Sequence, residues 1–184
     1  MNSKELKGIP VLSIDGGENL GSVSRAYVDA KQKLIVGFAY SASGGFMQAE
    51  SEPKLDAEEV HTLGPDALML DHKGGETGAS ISQRYSELLV LDEIAGLPVL
   101  TENGTSAGQM ASVEFDQHSY QLTGMDISHG RFKGHQRASI DQVVTIGRDY
   151  VIVRNAILEP GEPASTPVEL PPLKPPASKD EAPA

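Results

Sequence analysis

The residues of this chain that could do chemistry are five histidines, a surplus of carboxylates and several glycine-rich stretches. His129 and His135 flank a glycine-containing turn with Asp126 close by, and such a set could hold a divalent cation. The spacing follows no zinc rule, however, and His61, His72 and His118 are scattered. Exposed loop histidines are the expected reading, with no metal. The chain has no cysteine, which excludes disulfides, thiolate metal sites and a cysteine nucleophile. The stretches DGGENLG (15–21) and HKGGETGAS (72–80) lack the glycine and lysine spacing that cradles phosphate at a helix start. Serines are plentiful, but no GxSxG elbow occurs. The acid pairs Asp15 with Glu18 and Glu58 with Glu59 read as solvated faces and caps. The expectation is a protein without catalytic residues or cofactors, not an enzyme.

The elements that would position these groups occur twice. GIPVLSIDGGENLG (8–21) is echoed by GLPVLTENGTSAG (96–108). Each copy reaches a turn of the DG or NG kind, at Asp15–Gly17 and Glu102–Gly104, where glycine accepts positive φ. GSVSRAYVD (21–29) and GQMASVEFD (108–116) follow, each a strand ending in aspartate. Alternation places Ala26 with Val28 on one face, and Val113 with Phe115. LIVGFAY (34–40) then matches QLTGMDI (121–127), with Gly37 and Gly124 in register. Asp56 stands three before Glu59 and Ser139 three before Gln142, both variants of a capping box. They predict helical turns over 57–63 and 140–146, ended by left-handed glycines at Gly64 and Gly147. A last strand follows in each, ALMLD (67–71) and DYVIVR (149–154).

The chain thus divides into repeat 1 (1–71), a polar linker (72–87), repeat 2 (88–158) and a tail (159–184). The tail holds eight of the twelve prolines and cannot bury a core, so disorder is expected there. A hydrophobic fraction of 39% without tryptophan suits small β cores filled by Val, Ile and Leu. The longest apolar run, LIVGFAY, is far short of the roughly 18–20 residues that span a bilayer, and the N-terminus lacks a signal-like apolar region. The net charge of −11 disfavours direct contact with nucleic acid or anionic lipid. A soluble, cytoplasmic protein is expected, peripheral to a membrane if it meets one.

The ordered set Gly8, Pro10, Val11, Gly21, Val23, Asp29 and Gly37, met again as Gly96, Pro98, Val99, Gly108, Met110, Asp116 and Gly124, resembles the PRC-barrel domain. That small β-barrel occurs in the photosynthetic reaction-centre H subunit and in the C-terminal half of RimM-type ribosome-maturation factors. The resemblance covers about residues 4–71 and 88–154. It implies an all-β fold of two tandem barrels and a habit of docking other proteins, and it carries over no catalytic residue. The glycine-rich N-terminal domain of RimM-type factors and the membrane helix of the H subunit have no counterpart here. The resemblance implies a non-enzymatic adaptor or structural subunit on the cytoplasmic face of a membrane protein complex such as a photosynthetic reaction centre. A ribosome-maturation factor binding a basic ribosomal protein is the alternative.

One difference between the copies points to a surface. Gln121, Thr123 and Asp126 give the second copy a wet face, whereas Leu34, Val36 and Ala39 make the corresponding face of the first copy apolar. A small barrel needs only one apolar face on this strand. The other face is expected to be covered by the second barrel, a loop or a protein partner, with Phe38 and Tyr40 nearby.

Overall fold

The computed structural model describes residues 1–43, 52–72, 74, 79–129 and 134–157. Strands dominate. The first copy supplies β1 (Pro10–Ser13), β2 (Asn19–Asp29), β3 (Leu34–Ala42), β4 (Lys54–Asp56), β5 (Val60–Leu63) and β6 (Leu68–Leu70). After β7 (Leu89–Val90), the second copy supplies β8 (Pro98–Thr101), β9 (Ser106–Phe115), β10 (Leu122–Ser128), β11 (His135–Ser139), β12 (Val143–Ile146) and β13 (Val151–Val153). Three helices are short: α1 (Ser3–Leu6), α2 (Ala79–Ser86) and α3 (Leu91–Ile94). None of the described helices is long and apolar enough to cross a membrane.

The two copies adopt one topology. The strand order is β4-β3-β2-β1-β6-β5 in the first sheet and β11-β10-β9-β8-β13-β12 in the second, with β7 added beside β2. In each, the first and last strands of the copy run parallel, β1 with β6 and β8 with β13. The irregularities repeat as faithfully as the order. Pairing skips Leu20, Ser24, Val36 and His61 in the first sheet, and Ala107, Ala111, Thr123 and Val144 in the second. An extra residue bends its strand and increases local twist, so these shifts curl both sheets alike. The curl brings backbones together at Gly21 and Gly108. Both have positive φ (154° and 118°), and a Cβ there would lie 2.0 Å from the Ser41 carbonyl oxygen and 2.4 Å from that of Ser128. Only glycine fits.

Local chemistry explains the shared turns. Asp29 Oδ1 accepts from the N–H groups of Lys31 and Gln32, and Asp116 Oδ1 from those of His118 and Ser119. Both capping boxes form: the Glu59 carboxylate accepts from the Asp56 N–H at 2.7 Å, and Gln142 from the Ser139 N–H at 2.9 Å. Two expectations need correction. The helical segments are single 3-10 turns, Ala57–Glu59 and Ile140–Gln142, because the β-branched residues after them continue as β5 and β12. Gly64 and Gly147 are not left-handed; each donates its N–H across the following turn, to Ala67 and Tyr150 oxygens at 2.9 Å.

The copies are not laid side by side as separate bodies. Each sends its lead-in onto the other. Asn2, which caps α1, bridges to Glu114 of β9, and α1 packs on β9. In the reciprocal place Val90 pairs with Tyr27 of β2, and α3 packs on β2. The turns before β3 and β10 also exchange hydrogen bonds. Ile35 N–H donates to the Tyr120 oxygen at 3.0 Å, and Leu122 N–H to that of Lys33 at 2.9 Å. One cluster of buried apolar side chains therefore runs through both sheets, taking in Leu6, Phe38 and Leu91 with Met110, Phe115 and Met125. Each such side chain contributes roughly 1.5–3 kcal/mol when fully buried.

The expected linker, 72–87, contains helix α2. The expected tail, 159–184, lies outside the described residues.

Candidate interaction site

The apolar surplus of β3 goes to three different places. Ala39 is fully buried beneath a small second cluster made with Tyr27 and Tyr85, against which Leu88 and Val90 pack. The Tyr27 and Tyr85 rings meet at 4.6 Å between centroids, tilted by 55°. Phe38 and Tyr40 are interior, 1% and 6% exposed, and Tyr40 Oη donates to the Gly74 oxygen at 2.7 Å. Leu34 and Val36 stay half-buried, Leu34 bridged to Gln121 of the other copy and Val36 at a bulge.

Tyr85 is held by charge as well as packing. Its hydroxyl donates to Asp56 Oδ1 at 2.5 Å, and one Arg84 nitrogen reaches both Asp56 oxygens at 2.6 and 2.7 Å. Burial, and then the bond to Asp56, push the Tyr85 phenol well above its ordinary range. The ring lies directly over Gly37, where a Cβ would come within 2.5 Å of Tyr85 Oη. The second copy solves the same place differently. Gly124 is overlaid by the ion pair of Arg137 with Glu114, and Asp126, the counterpart of Ala39, accepts from Ser112 at 2.9 Å. The polarity difference visible in the sequence thus corresponds to two coverings, an aromatic helix end and a charged pair.

Leu34 and Val36 line a cleft of about 430 Å3 where the copies meet. Its other wall is the 3-10 turn with Asp56, Ala57 and Glu58, and its far side is Ser119 and Tyr120 from the turn before β10. Tyr120 is half-buried, its ring edge-on to Phe38 at 5.6 Å, and burial raises its phenol pKa. Glu58 is exposed and makes no ion pair among the described residues. Apolar walls, an aromatic ring and an uncommitted carboxylate suit a partner that presents a cationic group on an apolar stem.

Sequence reasoning singled out Leu34 and Val36 but missed Tyr120, Ala57 and Glu58 as their companions. The register of the two copies held the missing signal, because it sets Tyr120 against Lys33. The histidines do not converge. His129 Nε2 is 3.1 Å from Gln136 Oε1, and His61 Nδ1 is 2.8 Å from Asp71. No group of three or more histidines and carboxylates that could hold a metal occurs among the described residues. A scan against protein-family models gives no match, and comparison with curated proteins gives none.

Proposed function

We propose that this chain is a non-enzymatic adaptor built from two PRC-type barrels, docking on the cytoplasmic face of a membrane protein complex of the photosynthetic reaction-centre kind. The observation that supports it best is the junction cleft: half-buried Leu34 and Val36 beside exposed Glu58, on a face that the barrel itself does not need to be apolar. Charge supports the same reading. Cytoplasmic segments of membrane proteins are enriched in lysine and arginine, and a chain of net charge −11 complements them. The ordered glycines, prolines and aspartates met in both copies support the PRC-type assignment through the resemblance in sequence.

The test is co-purification of the tagged full-length chain from two fractions, gently solubilised membranes and the soluble extract. A membrane protein complex should elute with it and be released by salt, since contacts between exposed charges are screened. Elution with small ribosomal subunits would replace this reading by that of a ribosome-maturation factor. Elution alone from both fractions would overturn both.

A further inference from the structure

Lys33 and Tyr120 occupy equivalent positions in the two copies, and they treat equivalent clefts differently. Both sit in the turn before the third strand of their copy with left-handed backbone, φ 53° and 60°. Lys33 reaches across to the other copy, where its ammonium donates to the carbonyl oxygens of Ile140 at 3.1 Å and Val143 at 2.5 Å. Those carbonyls belong to the first residue of the 3-10 turn Ile140–Gln142 and to the residue that follows it. The corresponding carbonyls of the first copy belong to Ala57 and Val60, around the turn Ala57–Glu59. Tyr120 makes no such bond; its ring turns to Phe38, and the volume beside Ala57 stays open as the 430 Å3 cleft.

We infer that this cleft receives a lysine side chain from a protein partner, reproducing in trans the contact that Lys33 makes within the chain. The butyl stem would lie along Leu34 and Val36, which are apolar where the second copy has Gln121 and Thr123. The ammonium would take the carbonyl of Ala57, with Glu58 supplying the negative charge and the Tyr120 ring a cation–π face. A lysine fits better than an arginine, because the internal precedent is a single ammonium bonded to two carbonyls and not a planar fork. This inference rests on the adaptor reading for the source of the lysine, but the site is defined without it.

The experiment is an amide-shift titration of the full-length protein with the capped peptide acetyl-Gly-Lys-Gly-amide, and with the same peptide acetylated on the lysine. Shifts centred on residues 57–60 and 119–121, absent with the acetylated peptide, are expected. Glu58→Lys, on an exposed side chain, should weaken binding at least about tenfold. Tyr120→Lys should abolish it by filling the cleft from within, the backbone conformation being one that lysine already adopts at position 33. Should that variant fail to fold, Glu58→Lys decides alone. Shifts located elsewhere, equal binding of the acetylated peptide, or undiminished binding by folded Tyr120→Lys would overturn the inference. A protein partner still captured by the Glu58→Lys variant would overturn the cleft and leave the adaptor reading standing. Lysine binding at the cleft with no partner captured would do the reverse.

Discussion

Gly37 and Gly124 occupy equivalent places in β3 and β10, yet replacing each by alanine should cost very different amounts. A Cβ at Gly37 would meet Tyr85 Oη at 2.5 Å, Tyr85 Cε1 at 2.7 Å and the Leu55 carbonyl oxygen at 2.8 Å. Ordinary contact begins near 3.4 Å, so three atoms must move, one of them backbone and two on a ring pinned by Asp56 and Tyr27. At Gly124 the nearest atoms are the Ala138 oxygen at 3.2 Å and the ends of Glu114 and Arg137 at 3.5 and 3.7 Å, which can swing away. Overpacking of a closed site costs about 1–3 kcal/mol. Gly37→Ala should fall at the upper end, about 2–3 kcal/mol, and lower Tm by roughly 4–12 °C in a chain of this size. Gly124→Ala should cost less than about 1 kcal/mol, because alanine also reduces the entropy of the unfolded chain. In a Tyr85→Ala background the penalty at Gly37 should shrink towards the Leu55 component alone, which a double-mutant cycle by urea unfolding would read. Equal costs at the two glycines, or an unchanged penalty without Tyr85, would refute the placement of α2 on β3.

Three other perturbations follow from the same contacts. Lys33→Met removes the ammonium from the Ile140 and Val143 carbonyls and should cost about 1–3 kcal/mol in urea unfolding, as for hydrogen bonds to a charged group. Tyr85 is held protonated above its ordinary value of 10.0 by burial and by Asp56, so its contribution is intact below about pH 10 and lost as pH rises beyond it. Melting curves at about pH 8 and 11 should show that loss in the parent and less of it in Tyr85→Phe. Leu6→Ala, at a side chain 2% exposed, should cost about 2–5 kcal/mol and perturb methyl signals of β9, in the copy to which Leu6 does not belong.

The features legible in the sequence were those written in local chemistry. Asp29 and Asp116 were readable as strand ends because an aspartate side chain closes the turn after it. The capping pairs Asp56–Glu59 and Ser139–Gln142 were readable for the same reason, and the recurrence of glycines in order disclosed the duplication. What followed the caps was not readable, because the β-branched run after each one satisfies strand and helix patterns until its partner strand is known. Helix α2 was hidden behind a glycine-rich approach, and it is held by Tyr85 and by Arg84 on Asp56. The exchange of lead-ins had no signal at all, because nothing in the residues before Gly8 or Gly96 says which sheet each segment covers. The excess apolarity of Leu34, Val36 and Ala39 was plain, but its destinations depend on three-dimensional neighbours. Ala39 is taken up by Tyr85, while Leu34 and Val36 are left at the cleft.

The two copies close one core by covering each other and so unfold as one unit. Hydrogen exchange of the full-length chain across a urea series tests it most directly, since amides of one cooperative unit share a common opening free energy. The slowest amides of β2–β3 and of β9–β10 should converge on the same free energy and the same urea dependence, and Leu6→Ala should lower both sets together. Two distinct plateaus, with the second sheet unmoved by Leu6→Ala, would mean that the copies are independent barrels and that the shared core does not exist.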